Sequence, residues 1–479
     1  MSLDIVSRRP LAVALAAALA AMAGPSYGAG KEELADIKAQ IEQLKSAYEQ
    51  RIAALESKLA QAENKADQAQ NKAVQAEVTA SAAQAASRPA GGASAFNPEI
   101  SLILDGKYAS TSRSPESYRI RGFVPNGGEI APPRRSFSIG ETELAMSANV
   151  DHLFRGDVRF SVADEDGSST INTEEASIET LALPAGLKIK AGRFLSGIGY
   201  LNVQHPHSWD FVDAPLAYKA FWGSRLSNDG VQLKWVAPTP VFLEVGAEVA
   251  RGGSYPGSER DKNGSGLGTV FAHVGDEIGL SHAWQAGVSY VSTHARDRAW
   301  DDVDALGNAT SNVFTGSSKT WGADFVWKWA PNGNSTHTNF KFQTEYFQRR
   351  ESGTLAYNDS GAVVGSASGD FRSRQSGWYA QGVWQFMPQW RVGYRYDRLN
   401  AGSLNIGLLD SGTITAADLP ALAHYSPQRN SVMVDWSPSE FSRIRLQYAR
   451  DNSRGPGETD NQFFVQYIMS LGAHGAHKF

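Results

Sequence analysis

From residue 96 to the end of the chain, apolar and polar positions alternate with a period of two. Ile100, Leu102 and Leu104 share a face with Gly106, opposite Ser101, Asp105 and Lys107. Leu144, Met146, Ala148 and Val150 alternate with Glu141, Glu143, Ala145, Ser147 and Asn149. Phe154, Val158, Phe160 and Val162 alternate with Arg155, Asp157, Arg159 and Ser161. The pattern recurs at Trp321–Trp329, Phe340–Tyr346, Val392–Tyr396 and Ile444–Tyr448, and last at Phe463–Leu471. A segment of about ten alternating residues is the length a tilted strand needs to cross a bilayer. About sixteen such segments predict an all-β transmembrane barrel of antiparallel strands.

The predicted connections alternate in length. Short ones fall near 151–153, 184–186, 238–240, 275–282, 331–338, 387–389 and 437–441. Long ones fall near 111–134, 165–172, 195–228, 254–268, 295–318, 351–375, 399–428 and 452–460. An even strand number with both ends on the short-turn side follows, as transmembrane barrels require. A soluble β-sandwich also alternates, but its strands are usually shorter and its loops have less reason to segregate by length.

Upstream the period is seven. Leu34, Ile37, Ile41, Leu44, Tyr48, Ile52, Leu55 and Leu59 continue as Ala62, Ala66, Ala69, Ala73, Ala76 and Ala80, with one stutter near Tyr48 and Ile52. This predicts an α-helical coiled coil over 30–87, whose exposed apolar seam favours self-association. Residues 88–95, Pro- and Gly-containing, form a linker to a barrel at 96–479. Arg8 and Arg9 before the apolar run Leu11–Ala23 read as a signal peptide over 1–29, cleaved near 23–29. That run is too short to span a bilayer comfortably, and no later stretch is long and apolar enough for a membrane helix.

Composition narrows the chemistry. A formal net charge of -5 carries no basic excess and argues against nucleic acid as a partner. The absence of cysteine removes disulfides, thiolate metal sites and thiol catalysis. A mean hydropathy of -0.34 is compatible with a barrel, because only alternate residues face lipid. No Ser–His–acid spacing stands out, so no enzyme is expected, and no cofactor.

Alternation assigns a charged wall to the barrel interior: Glu141, Glu143, Arg155, Arg159, Lys188, Lys190, Lys341, Arg391, Arg395, Arg443 and Arg445, joined by Asp157, Glu175 and Glu179. Mixed signs predict modest ion selectivity.

Phe96-Asn97-Pro98 at the first strand and Gly192-Arg193-Phe194 before the longest connection resemble the phosphate-selective porin O/P family and related siderophore-uptake porins, some with an N-terminal coiled coil. Phe479 matches the aromatic terminus common among outer-membrane barrels. The resemblance implies a passive, often trimeric channel in which the third long loop, 195–228, folds inward and narrows the pore. That loop supplies His205, His207, Trp209, Asp210, Asp213, Lys219 and Arg225, a mixture of signs where phosphate-selective relatives carry closely spaced Arg and Lys. His205 and His207 with Asp210 and Asp213 have the residue types of a metal site, but a constriction is the expectation and no metal is.

The expected function is an outer-membrane porin for small hydrophilic solutes or ions, a homotrimer in contact with lipid and lipopolysaccharide. Two alternatives stand beside it: a specific channel for a ferric siderophore or other metal complex, and a tether whose periplasmic coiled coil touches peptidoglycan.

Overall fold

The strands of the computed structural model close into a barrel, with exposed apolar side chains outside and buried, mostly polar ones inside. The structure describes residues 98–124, 130–165, 168–258, 263–358 and 366–472, with eight positions between 42 and 52. The chain divides into two units, Met1–Ala93 and Ser94–Phe479. In the first, Glu42, Gln43, Lys45, Ser46 and Glu49 to Ile52 are helical. The predicted signal peptide and linker, most of the heptad seam and the last seven residues lie outside the described residues.

The second unit contains strands β1 (Glu99–Thr111), β2 (Ser136–Ile139), β3 (Thr142–Asn149), β4 (Phe154–Glu165), β5 (Ser168–Thr180), β6 (Leu187–Leu195), β7 (Ser227–Val236) and β8 (Phe242–Ala250). They continue as β9 (Leu267–Ile278), β10 (His282–Val303), β11 (Ala309–Trp329), β12 (Asn339–Tyr357), β13 (Ala367–Met387), β14 (Trp390–Ile406), β15 (Gln428–Ser439), β16 (Ser442–Asp451) and β17 (Asp460–Gly472). Neighbours pair antiparallel, and β1 closes on β17 with Ser101 opposite Gly472. β2 and β3 both pair with β1 and share one place in the wall, so the barrel has sixteen strands.

Closure leaves no free end in the sheet and satisfies the backbone where lipid offers no hydrogen bonds. Val231, Leu233, Val288, Trp321, Phe325, Tyr394, Val432 and Leu446 are exposed on the outer face. Their chain neighbours one residue away are buried inside, as Ser289, Asp324, Arg395, Ser431 and Arg445 show.

The wall is uneven. β10 to β14 run to 22, 21, 19, 21 and 17 residues, whereas β3, β6, β7 and β8 have 8, 9, 10 and 9. This corrects the predicted loop lengths. The supposed loop 295–318 is almost all strand, leaving 304–308, and only two residues separate the end of β4 from Ser168 at the start of β5. Where strands rise beyond the lipid, both faces meet water, so the apolar periodicity that marks a strand disappears. The connection expected at 275–282 also shrinks to 279–281, because Gly275 to Ile278 still pair with β10.

Candidate functional site

After Leu195 the chain leaves the wall, and it does not rejoin it until Ser227. Residues 196–226 carry a dense set of aromatic and aliphatic side chains with no place on a strand face. Burying them is favourable, and the barrel interior is where they are buried. Helix α1 (Leu216–Trp222) ends at Gly223, which takes the left-handed conformation with φ 64°. Leu216, Tyr218, Phe221 and Trp222 pack with Phe347, Tyr379 and Leu399 of β12, β13 and β14. Tyr218 and Trp222 both meet the Phe347 ring edge-on, at centroid separations of 5.3 and 5.6 Å. Tyr118, Ile120 and Phe123 of the first loop pack on the same cluster.

Polar ties fix the loop to both sides of the lumen. At its start the Ser196 hydroxyl and Gly197 N–H donate to Glu248 on β8, at 2.6 and 2.8 Å. The N–H groups of Tyr200 and Leu201 then donate to Glu345 on β12, at 3.2 and 3.0 Å. Glu345 also accepts from the hydroxyls of Tyr218 and Tyr379, at 2.7 and 2.6 Å. A buried carboxylate with four donors is fully satisfied, which is what makes its burial tolerable.

The middle of the loop meets a wall of arginines. Asp210 lies between Lys341 and Arg391, the latter at 3.2 Å, and accepts from Gln381 at 3.1 Å. Asp213 takes Lys219 at 3.0 Å and Arg395 at 3.0 Å, and also pairs with Arg429. The loop backbone is held as well. Val212 N–H donates to Gln447 at 2.7 Å and Leu216 N–H to Asp397 at 2.9 Å. Arg445 donates to the Trp209 carbonyl at 2.8 Å, and Arg443 donates to that of His207. Burial alone would raise both loop aspartates, but the surrounding cations hold them below the usual carboxylate range. Burial lowers Lys219, and Asp213 offsets this only in part.

The opposite wall clasps two cations of the loop. His205 sits between Glu143 of β3, 3.0 Å from Nδ1, and Glu175 of β5, 2.8 Å from Nε2. Burial opposes its charge, but the two carboxylates win and push its pKa up to about 9. Arg225 Nη1 also approaches Nδ1, at 3.4 Å. Arg225 itself donates to Glu141 at 3.0 Å and Glu174 at 2.8 Å. The His207 ring stacks on His205 with centroids 5.9 Å apart.

The residues assigned to the interior by alternation all lie on the lumen side, but in different surroundings. Arg155, Arg159, Lys188 and Lys190 keep roughly a fifth to two fifths of their side chains exposed and pair with Asp157, Glu143 and Glu179. Lys341 and Arg391 are about a fifth exposed, whereas Arg395 and Arg445 are sealed under the loop. The grouping of His205 and His207 with Asp210 and Asp213 does not form, because the aspartates engage the far wall. Ligand atoms of Glu141, Glu174 and His205 do lie within 4.8 Å of one another, with the Arg225 guanidinium between the two glutamates.

Sequence reasoning missed Glu174. Arg159 pairs with Glu175 and Phe160 with Thr173, so Glu174 is the extra residue of a β-bulge. The bulge aims two consecutive carboxylates inward, which strict alternation forbids. It also missed Glu345, Asp397 and Arg429 as anchors. Alternation with Lys341 and Arg395 gives Glu345 and Asp397 their inward direction, but nothing local indicates which loop atom they meet.

No family model matches the chain. Among solved structures it is similar to a loop-deletion form of the outer membrane protein OmpT of Vibrio cholerae, at 12% identity and TM-score 0.47, covering 78% of this chain and 99% of that one. It is also similar to the outer membrane channel DcaP of Acinetobacter baumannii, at 11% identity and TM-score 0.45, covering 78% and 96%. A third is a high-pH structure of Pseudomonas putida OprB, at 14% identity and TM-score 0.43, covering 78% and 94%. In sequence, 411 residues are 31% identical to an uncharacterized protein of Aquifex aeolicus (strain VF5), spanning 80% of each chain. The chain belongs to the family of that Aquifex protein.

Proposed function

We propose that this protein is an outer-membrane porin for the passive diffusion of small hydrophilic solutes or ions, with residues 196–226 as its constriction. The observation that carries this reading is the loop itself. It is tied to β3 and β5 through His205 and Arg225, and to β12–β16 through Asp210 and Asp213. A barrel with no transport role has little need of an inward loop fixed by buried charges on two walls. Beside it, Arg155, Arg159, Lys188, Lys190, Lys341 and Arg391 remain partly exposed and of mixed company, which suits weak ion selectivity.

Within that class the chain fits the phosphate-selective porin O/P design with an N-terminal periplasmic coiled coil, but its constriction is not tuned to phosphate. A homotrimer is supported by the outer surface. No tryptophan occurs from Pro98 to Ser208, so β1 to β6 carry none. β10 to β15 carry Trp321, Trp327, Trp384, Trp390 and Trp436, the residues that seat a barrel at the lipid interface. The tryptophan-free wall, β1 to β6, is the one suited to face another copy.

The test is single-channel conductance of the refolded full chain in a planar bilayer under a salt gradient. Stepwise openings in groups of three are expected, with a small reversal potential. A barrel that never conducts rejects the reading and favours the ligand-specific uptake channel, whose capped lumen would open only with its substrate.

A further inference from the structure

One row of lumen-facing residues runs across ten neighbouring strands in direct cross-strand register. It reads Glu244, His273, Gly287, Asp324, Glu345, Tyr379, Asp397, Arg429, Asp451 and Asp460. Six of these are carboxylates. Glu345 has its four donors, Asp397 has Arg395 and the Leu216 N–H, and Asp460 has Ser112 and the Arg113 N–H. Asp324 differs. Its side chain is 1% exposed, and neither carboxylate oxygen has a hydrogen-bond partner.

Facing Asp324 across Gly287 is His273 on β9. Its Nε2 is also buried without a hydrogen-bond partner, 3.9 Å from Asp324 Oδ2. That is too long for a hydrogen bond. The two side chains meet over the place where residue 287 has no side chain. A Cβ at Gly287 would lie 2.3 Å from Oδ2 and 2.4 Å from the imidazole Cδ2. On the other side of the ring, His273 Nδ1 lies 3.7 Å from Glu244 Oε1, and Glu244 is held by Lys234 at 3.0 Å.

We propose that Asp324 and His273 hold a divalent transition-metal ion, of the zinc class, between Oδ2 and Nε2. A buried carboxylate without partners is costly, and a cation between it and an imidazole lone pair removes that cost. Zinc binds imidazole nitrogen and carboxylate oxygen at about 2.0–2.2 Å, which sets tetrahedral ligands about 3.4 Å apart. A small rotation of the Asp324 carboxylate closes the observed 3.9 Å to that value. Glu244 lies 3.7 Å behind Nδ1, a charge contact and not a hydrogen bond, on the side of the ring away from Nε2. The ion would tie β9 to β11 across the glycine of β10, beneath the constriction loop.

The experiment refolds the full chain from urea into detergent with zinc chloride, magnesium chloride or chelator, then dialyses it and measures bound metal by mass spectrometry. One zinc and no magnesium per chain is expected for the native sequence. Asp324→Asn and His273→Gln should lose it, and His205→Gln should keep it. Barrel formation of each variant is checked by heat-modifiable gel migration. If Asp324→Asn forms no barrel, the native chain refolded with cobalt decides by the visible absorption of a histidine–carboxylate site. Absence of zinc from the native chain, its retention in Asp324→Asn or His273→Gln, loss in His205→Gln, or a featureless cobalt spectrum overturns the proposal. None of these readouts depends on whether the barrel conducts.

Discussion

Arg395 grips Asp213 twice, donating from Nη1 to its backbone carbonyl at 2.8 Å and from Nη2 to its carboxylate at 3.0 Å. Lys219 and Arg429 share the other carboxylate oxygen, and all four side chains are buried. Replacing Asp213 by Asn leaves three cations around a neutral amide. Removing one partner of a buried charge pair costs about 3–5 kcal/mol. Asp213→Asn should therefore lower the urea or thermal midpoint of the barrel markedly. An unchanged midpoint would show that the cluster holds nothing in place.

Asp210 is held differently, because its partners Lys341 and Arg391 are about a fifth exposed and reach water. Neutralising it frees positive charge beside the open part of the lumen. A unit charge about 4 Å from a permeant ion is worth about 1 kcal/mol in water, or roughly fivefold in a permeability ratio. Asp210→Asn should shift the reversal potential toward anions by that order. If the potential does not move, Asp210 is not at the constriction.

The His205 clasp predicts a pH dependence. Its pKa in the folded chain, about 9, lies above the ordinary histidine value of about 6.5. A raised folded-state pKa gives stability that is complete below about pH 6.5 and is lost as the pH rises through 9. The shift corresponds to about 3 kcal/mol. Unfolding midpoints should fall between neutral pH and about pH 9.5, and His205→Gln should remove that slope. Equal slopes in both proteins would place the charge elsewhere.

Gly199 turns the loop toward β12 with φ +60°, and a Cβ there would lie 2.1 Å from Glu345 Oε2 and 2.7 Å from the Tyr218 hydroxyl. Gly199→Ala combines an unfavourable backbone conformation with overpacking, each costing about 1–3 kcal/mol. The relief available is withdrawal of the loop from Glu345. Larger or noisier single-channel currents are expected, with the barrel intact by gel migration. Currents identical to those of the native chain would mean that this anchor does not shape the pore.

The heptad segment carries its own test. A chain beginning at Ser94 contains the whole second unit. Its conductance per open channel should equal that of the full chain if the helix serves assembly or attachment. Loss of conductance would make the segment part of the channel.

The barrel was legible in the sequence for a simple reason. A strand that meets lipid on one side and water on the other must alternate, and it does so wherever both solvents are present. Ile100, Leu104, Trp321 and Leu446 could be placed outward, and Arg395 and Arg445 inward, without coordinates. The signal weakened in β10 and β11 beyond the membrane, where water lies on both sides. It failed at Glu174, because a bulge is set by pairing with a neighbour and not by the strand's own pattern.

Alternation in the chain specifies the inward direction only along strands with an unbroken period of two, because side chains on a regular strand point to opposite faces in turn. Tertiary structure decided what the inward side chains do. Asp213 meets Arg395 and Arg429 from 182 and 216 positions away, and His205 meets Glu175 from 30. Such partners are chosen by strand register and by where a buried loop comes to rest, and both are properties of the closed barrel rather than of any local stretch of chain.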